Sequence, residues 1–251
     1  MPTYVITGAS SGIGLELVKQ LAARGDKVYA TCRSKAGSFS GVDAISDVQG
    51  DVTIIEGIDV AQDNVGEALA ASALAGVTID VLVHNAGSLN GTRDVKGMDA
   101  FAEQKLDGIT MDRMRAAFEV NTLGPLRVQK ALNAQMPRGG KVGIISTGLA
   151  SIADNSSGGN YAYRTSKAGV NMIAKSLSCD LKENEISVAA IAPGFVVSDF
   201  GVGTEEMVKM GAKPVDQAGK GIIAVLDQLS LENTGSFLIV PSSGEEPKPM
   251  P

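Results

Sequence analysis

The sequence is poor in the residues that build several common kinds of site. Its 251 residues include a single histidine, His84, so a zinc site or a Ser-His-Asp triad has almost nothing to build on. The two cysteines, Cys32 and Cys179, make no disulfide scaffold and no C-x-x-C pair. We therefore predict neither a metal site nor a disulfide framework.

The chain also lacks a basic stripe and a long apolar run. Its 22 Lys and Arg against 28 Asp and Glu give a net charge of −6, which argues against partners such as nucleic acid or an anionic membrane. The longest mostly apolar stretch, residues 142–153, is shorter than the roughly 20 residues that span a bilayer. No basic segment precedes the first apolar strand, so we expect no signal peptide and a cytoplasmic location.

Short apolar runs alternate with helical patterns along most of the chain. The runs are continuously apolar, which is typical of strands covered on both faces of a sheet. They predict strands near residues 4–7, 27–31, 52–56, 79–84, 141–146, 187–192 and 236–240. The alternation predicts one α/β domain over residues 1–241, a doubly wound Rossmann-type fold with a parallel seven-stranded sheet. Residues 242–251 carry three prolines and are predicted to be a poorly ordered tail unless a partner holds them.

A glycine-rich turn follows the first predicted strand and precedes the first predicted helix. Residues 8–14 have the pattern Gly-x-x-x-Gly-x-Gly, which lets the backbone approach a pyrophosphate at the helix N-terminus. The candidate phosphate-binding residues are Gly8, Ser10, Ser11, Gly12, Ile13 and Gly14. An NAD site usually has an Asp or Glu at the end of the second strand, but this sequence has Arg33 there and no acidic residue. An arginine could hold the 2′-phosphate, which favours NADP(H) over NAD(H).

A phenol and an ammonium share one face of a later predicted helix, since Tyr163 and Lys167 lie four residues apart. A nearby cation favours the phenolate, so the pair can exchange a proton with a carbonyl or an alcohol. Upstream, Pro125 has no N–H and cannot bond the carbonyl of Asn121, so this carbonyl is expected to be free to hold a water; an ordinary proline kink capped by Asn121 is the alternative.

Four separated motifs resemble the short-chain dehydrogenase/reductase family along nearly the whole chain. They are residues 7–14, Asn85-Ala86-Gly87, Tyr163 with Lys167, and Pro193-Gly194. Residues 156–167 are similar to the carbonyl-reductase branch that includes the sniffer and C-factor proteins. The resemblance implies an enzyme that reversibly reduces a small-molecule aldehyde, ketone or quinone to an alcohol with NADPH. It also implies a homodimer or a homotetramer.

The same resemblance implies a role for each matching residue. Tyr163 is expected to exchange the proton, and Lys167 to lower its pKa and to bind the nicotinamide ribose. Asn121 is expected to hold a water that connects Lys167 to solvent. Thr147 matches the hydroxyl that polarises the substrate carbonyl, and Ser146 is the alternative if the strand end is shifted by one residue. Further cofactor contacts are implied for Asp59 and Val60 at the adenine, Asn85, Ala86 and Gly87 at the adenosine ribose, and Pro193, Gly194, Val196 and Ser198 at the carboxamide.

The substrate pocket is expected to be formed by residues 88–108, 149–160 and 195–210, whose apolar side chains suit a hydrophobic carbonyl compound. One alternative is a non-catalytic NADPH-binding regulator or sensor on the same fold, against which the intact Tyr163, Lys167 and Asn121 argue. Another is an epimerase or dehydratase that retains its cofactor, against which the short segment after Pro193 argues. The sequence leaves open the physiological substrate, the direction of reaction, and the choice between dimer and tetramer.

Overall fold

The computed structural model describes residues 1–33, 45–89, 104–197, 204–240 and 247–251. Its strands are β1 (Thr3–Thr7), β2 (Lys27–Thr31), β3 (Val52–Ile55), β4 (Val81–His84), β5 (Lys141–Ile145), β6 (Ser187–Ala192), β7 (Ser236–Ile239) and β8 (Lys248–Pro249). Its α-helices are α1 (Gly12–Arg24), α2 (Val65–Ala70), α3 (Met111–Phe118), α4 (Gly124–Leu132), α5 (Tyr161–Asp180), α6 (Thr204–Lys209) and α7 (Val215–Gln228). Among these residues, no helix is both long and apolar enough to cross a membrane.

All the strands belong to one sheet in the order β3-β2-β1-β4-β5-β6-β7-β8. Strands β1 to β7 are parallel and occupy the seven predicted positions. The sheet has one strand more than the seven predicted, because β8 pairs with β7 in the antiparallel direction. Part of the predicted tail is therefore seated on the sheet edge, where the Met250 N–H donates to the Phe237 carbonyl at 2.8 Å.

Helices cover both faces of the sheet, because successive strand residues point to opposite sides. On β1, Tyr4 and Ile6 pack in the core beneath α1 and α7, whereas Val5 packs in the core beneath α2, α4 and α5. Both cores consist largely of fully buried aliphatic side chains. The continuous apolar runs of the sequence thus reflect a sheet that is buried from both sides.

The predicted helix over residues 111–136 is interrupted in its middle. A π-helical turn, Glu119–Leu123, separates α3 from α4, and the N–H of Gly124 donates to the carbonyl of Glu119 five residues earlier. Pro125 follows and cannot donate to the Asn121 carbonyl, which gives the wider turn a local cause. The sequence indicated that the Asn121 carbonyl loses its helical partner, and it did not predict the π turn.

Candidate active site

The strand order reverses between β1 and β4, and ligands of doubly wound sheets bind at the carboxyl ends of strands beside such a reversal. The turn after β1 is shaped for close approach. Gly8 and Gly12 have φ angles of +64° and +53°, in the left-handed region that favours glycine. A Cβ on Gly8 would lie 2.7 Å from Ala86 Cα, and one on Gly14 would lie 2.5 Å from the Gly8 carbonyl oxygen.

The remaining members of the predicted phosphate site lie in the same turn and are partly exposed: Ser10, Ser11 and Ile13. Ser11 occupies the N-cap position of α1, and its side chain makes no capping hydrogen bond. The first-turn N–H groups of α1 are therefore not capped by this hydroxyl, as suits a phosphate at a helix N-terminus. The turn thus fits the pyrophosphate of a dinucleotide.

Asn85 fastens the turn to β4. Its Nδ2 donates to the carbonyls of Thr7 and Gly8 at 2.9 and 3.0 Å, and the Thr7 hydroxyl accepts from the N–H groups of Asn85 and Ala86, both at 3.1 Å. Asn85 thus shapes the turn after β1. Thr7, a buried hydroxyl at the end of β1, was not predicted as a site residue.

The predicted adenosine end lies after β2 and β3. Arg33 is exposed, and its carbonyl accepts from the Gly57 N–H at 2.9 Å, which joins the two strand ends. Asp59 uses its Oδ1 to accept from the Ala61 N–H at 3.0 Å, and Val60 is buried. The exposed guanidinium at the end of β2 fits a 2′-phosphate, and the neighbouring Asp59 carboxylate already accepts a backbone hydrogen bond.

Tyr163 and Lys167 lie in the first two turns of α5. The Lys167 Nζ is buried and donates to the carbonyl of Ile145, the last residue of β5, at 2.7 Å. Burial lowers the pKa of Lys167 to about 8. Burial also raises the pKa of the Tyr163 phenol to about 12, and a hydrogen bond with the Thr147 hydroxyl opposes that rise. The prediction that Lys167 lowers the pKa of Tyr163 is not met in this structure, because desolvation of the phenol outweighs the other contributions.

Ser146 and Thr147 follow β5, and their hydroxyls contact different residues. The Ser146 hydroxyl is buried and donates to the Asn171 Oδ1 at 2.6 Å. Thr147 contacts Tyr163, and its hydroxyl oxygen accepts from the Leu149 N–H at 3.3 Å. Of the two candidates that the sequence left open, Thr147 is the one beside the phenol.

Asn121 contributes its side chain as well as its backbone. The Oδ1 accepts from the Ser88 N–H and the Nδ2 donates to the Ser88 carbonyl, both at 2.8 Å, and the Nδ2 also donates to the Ser166 hydroxyl at 3.0 Å. A Cβ on Gly87 would lie 3.3 Å from the Asn121 Oδ1 and 3.5 Å from the Lys167 Nζ. Gly87, in the segment after β4, therefore lies close to both Asn121 and Lys167.

The segment after β6 contains the predicted carboxamide contacts. Pro193 is buried, Gly194 has a φ of +83°, and Val196 forms a β-bridge with Lys213. Lys213 is itself buried, and its Nζ donates to the Val240 carbonyl at 2.9 Å. Ser198 lies outside the described residues, as do parts of the predicted pocket segments 88–108 and 195–210.

Sequence reasoning missed three polar side chains that hold the site together, namely Gln104, Arg164 and Lys213. Arg164 is buried and donates to the Leu149 carbonyl at 3.1 Å and the Ser157 hydroxyl at 2.8 Å. It thereby holds the loop of residues 149–157 against α5. These contacts join segments distant in sequence and leave no periodic signal, although an arginine inside the Tyr-x-x-x-Lys pattern was a usable hint.

His84 is a core residue. It is buried, and its Nε2 shares a hydrogen bond of 3.1 Å with the Gln129 Oε1. Burial lowers its pKa to about 4. The imidazole is therefore neutral at physiological pH.

Comparison with known proteins gives a consistent result. A family model described as "short chain dehydrogenase" matches residues 2–209. The 1-hydroxy-2-glutathionyl-2-methyl-3-butene dehydrogenase of Rhodococcus sp. (strain AD45) is 34% identical over 239 residues, which cover 94% of this chain and 96% of that protein.

Two solved structures superpose over nearly the whole chain. A carbonyl reductase from Pseudomonas aeruginosa PAO1 has a TM-score of 0.79 and 27% identity, and the match covers 100% of both chains. A short-chain dehydrogenase/reductase from Burkholderia multivorans with bound NADP has a TM-score of 0.75 and 29% identity, and the match covers 96% of this chain and 97% of that one. These matches confirm the resemblance that the motifs indicated.

Proposed function

The chain belongs to the short-chain dehydrogenase family, and from this premise we propose that it is an NADP(H)-dependent oxidoreductase that reversibly reduces a carbonyl group to an alcohol. The observation that carries the proposal is the grouping around Tyr163. The Thr147 hydroxyl contacts the phenol, and the buried Lys167 ammonium lies one turn along the same helix. This grouping lies at the carboxyl ends of the strands, on the same sheet edge as the glycine turn.

The preference for NADP(H) rests on Arg33 and on the relatives. The exposed guanidinium suits a 2′-phosphate, which pairs well with arginine. The Burkholderia multivorans structure and a Pseudomonas aeruginosa carbonyl reductase structure contain NADP. The turn from Gly8 to Gly14 would hold the pyrophosphate. When bound, NADPH supplies the hydride that reduces the carbonyl carbon.

The residues of the chain supply the proton and the polarisation. Because its pKa is raised to about 12, Tyr163 carries its proton at neutral pH and can donate it to the carbonyl oxygen. Thr147 donates a hydrogen bond to the same oxygen and stabilises the charge that develops there. Lys167, largely protonated below its pKa of about 8, would bind the nicotinamide ribose hydroxyls of the cofactor. Reduction is therefore expected near neutral pH, and alcohol oxidation, which needs the phenolate, increases as the pH rises.

The decisive experiment measures NADPH oxidation against a panel of aromatic aldehydes, o-quinones, isatin and cyclic ketones. The panel includes the aldehyde of a glutathionyl-substituted alcohol, because the Rhodococcus relative is named for such an alcohol. Wild type is compared with Tyr163→Phe and with Tyr161→Phe, which alters an exposed tyrosine on the same helix. We expect turnover with NADPH that Tyr163→Phe abolishes and Tyr161→Phe retains.

Other outcomes favour other functions. NADPH binding without turnover of any carbonyl compound would favour the regulatory or sensor function. Nucleotide retained through purification would favour an epimerase or dehydratase. Equal rates with NADH would remove the role given to Arg33.

We also infer a cytoplasmic homo-oligomer. Cys179 is an exposed thiol outside any disulfide, as is usual in a reducing compartment. Met111 on α3 and Met172 on α5 are large apolar side chains that are 58% and 67% exposed. Helices α3 and α5 pack together, and this surface suits a second copy of the chain. Light scattering at several protein concentrations would distinguish a monomer, a dimer and a tetramer.

A further inference from the structure

Gln104 is a fully buried polar residue within the predicted pocket segment 88–108, and no individual role was predicted for it. Its side-chain Oε1 accepts a hydrogen bond from the backbone N–H of Tyr163 at 3.1 Å, and its Nε2 donates to the carbonyl of Leu89 at 3.2 Å. Its backbone carbonyl accepts from the N–H of Tyr161 at 3.4 Å. One residue thus contacts the first turn of α5 through two acceptors and the segment after β4 through a donor.

The first turn of α5 needs such acceptors. The first N–H groups of a helix have no partner within the helix, and the N-cap side chain usually supplies one. Here Asn160 is the N-cap residue, and it lies in the left-handed region with a φ of +50° and makes no side-chain cap. Gln104 supplies the missing acceptor to Tyr163 from 59 residues away in sequence.

The other peptide group of Tyr163 is held as well. Its carbonyl accepts from the Ser166 hydroxyl at 3.1 Å, and that hydroxyl accepts from the Asn121 Nδ2 at 3.0 Å. Asn121 binds both backbone groups of Ser88, which precedes Leu89. The contacts therefore close a ring that runs through Gln104, Tyr163, Ser166, Asn121 and the Ser88–Leu89 backbone.

We propose that Gln104 is a positioning residue for the reaction, because it holds the backbone of Tyr163 in place relative to Asn121 and the segment after β4. This inference rests on the proposed function, in which Tyr163 donates the proton. Gln104 accepts the hydrogen bond from the Tyr163 N–H, and Ser166 donates one to the Tyr163 carbonyl. Loss of the Gln104 side chain therefore leaves the backbone of Tyr163 held only through its carbonyl. Displacement of a reacting group by about 1 Å can lower a rate about 100-fold.

The test compares three variants of the whole protein. Gln104→Met keeps the approximate side-chain length and removes both hydrogen bonds. Gln104→Glu keeps an acceptor for the Tyr163 N–H and, when ionised, loses the donor to Leu89. Gln129→Met is the matched control, because Gln129 is also a buried glutamine with hydrogen bonds to other side chains, and it lies away from Tyr163.

Three readouts are combined. Amide hydrogen exchange by mass spectrometry reports the protection of the first turn of α5. Steady-state kinetics with the best carbonyl of the panel give kcat and KM, and fluorescence titration gives the NADPH affinity. A merely structural role would lower stability and the amount of active protein, but it would not separate kcat from KM among properly folded variants.

We expect faster exchange in the first turn of α5 for Gln104→Met, and a kcat that is about 10- to 100-fold lower. We expect the carbonyl KM and the NADPH affinity to stay near those of wild type, and Gln104→Glu to recover most of the loss. Gln129→Met is expected to retain the kcat of wild type.

Several results would overturn the inference. A Gln104→Met protein with normal kcat, or equal losses in the methionine and glutamate variants, would contradict it. If Gln104→Met does not fold, Gln104→Glu decides, since a kcat near wild type supports the role and a hundredfold loss with intact NADPH binding contradicts it. If wild type reduces no carbonyl, the proposed function fails, and exchange alone then decides whether Gln104 holds the first turn of α5.

Discussion

Replacement of Lys167 by methionine is expected to stabilise the folded protein at neutral pH while abolishing carbonyl reduction. Lys167 is 4% exposed, and its burial lowers the pKa from 10.5 to about 8. The charged form therefore costs free energy in the folded state that it does not cost in the unfolded chain. Methionine has a similar length and carries no charge, so this cost disappears in the variant.

The expected gain follows from the size of the pKa shift. At 1.36 kcal/mol per unit, the shift corresponds to about 3 kcal/mol of unfolding free energy at neutral pH. Loss of the hydrogen bond from Nζ to the Ile145 carbonyl offsets about 1 kcal/mol of this. A net gain of about 2 kcal/mol raises the melting temperature of a chain this size by about 4–8 °C.

The gain has a characteristic pH dependence. Between about pH 8 and 10.5 the folded lysine has already lost its proton, whereas the unfolded lysine still carries one. The unfolded state then binds more protons, so wild-type stability rises with pH relative to the variant. The advantage of Lys167→Met is therefore full below about pH 8 and fades as the pH approaches 10.5.

Calorimetric unfolding of both proteins without added cofactor, at pH values on either side of this window, tests the reasoning. The control is Lys175→Met, because Lys175 is exposed on the same helix and its ammonium remains in water. A Lys167→Met protein that is less stable than wild type at neutral pH would refute the argument. So would a gain of equal size at neutral and alkaline pH.

Three further predictions concern the hydroxyls, the glycine turn and the cofactor phosphate. Thr147→Val should lower kcat about 100- to 1,000-fold, as loss of an oxyanion donor does, whereas Ser146→Ala should mainly lower the unfolding free energy by about 1 kcal/mol. Kinetics and thermal unfolding of both variants test this. A larger loss of kcat in Ser146→Ala than in Thr147→Val would make Ser146 the hydroxyl that polarises the carbonyl. Gly14→Ala should weaken NADPH binding at least tenfold, which corresponds to a loss of about 1.4 kcal/mol of binding free energy, because the added Cβ would lie 2.5 Å from the Gly8 carbonyl oxygen. The control Gly66→Ala, whose Cβ would make an ordinary 3.5 Å contact, should bind NADPH normally in fluorescence titration. Arg33→Ser should raise the KM for NADPH and leave that for NADH nearly unchanged, and equal changes for both cofactors would contradict a 2′-phosphate contact.

The sheet and the centre of the site were predictable from local patterns. Each of the strands β1 to β7 is a short apolar run, and a run of this kind is recognisable without knowledge of its neighbours. The missing helical hydrogen bond to the Asn121 carbonyl was predictable for a similar reason, because Pro125 has no N–H, whereas the π turn itself was not predicted. The sequence could likewise place Tyr163 and Lys167 on one helical face.

The rest depends on contacts between distant segments. Nothing local marks Gln104 as the acceptor for the Tyr163 N–H or Arg164 as the anchor of the loop at Leu149. The direction of the Ser146 and Thr147 hydroxyls depends on where β5 ends and on Asn171, which lies on α5. The raised pKa of Tyr163 depends on burial, and burial of one phenol cannot be read from residue spacing.

Strand β8 has a consequence for how copies of this protein can associate. An exposed sheet edge is a template on which another chain can add a strand. At the β7 edge that template is already occupied by β8, which has only two residues, Lys248 and Pro249, both exposed. Proline has no N–H to offer a further strand, and an exposed lysine is a common deterrent to edge pairing. Two copies therefore cannot readily merge their sheets through this edge, which disfavours both a continuous intermolecular sheet and aggregation that starts from β7.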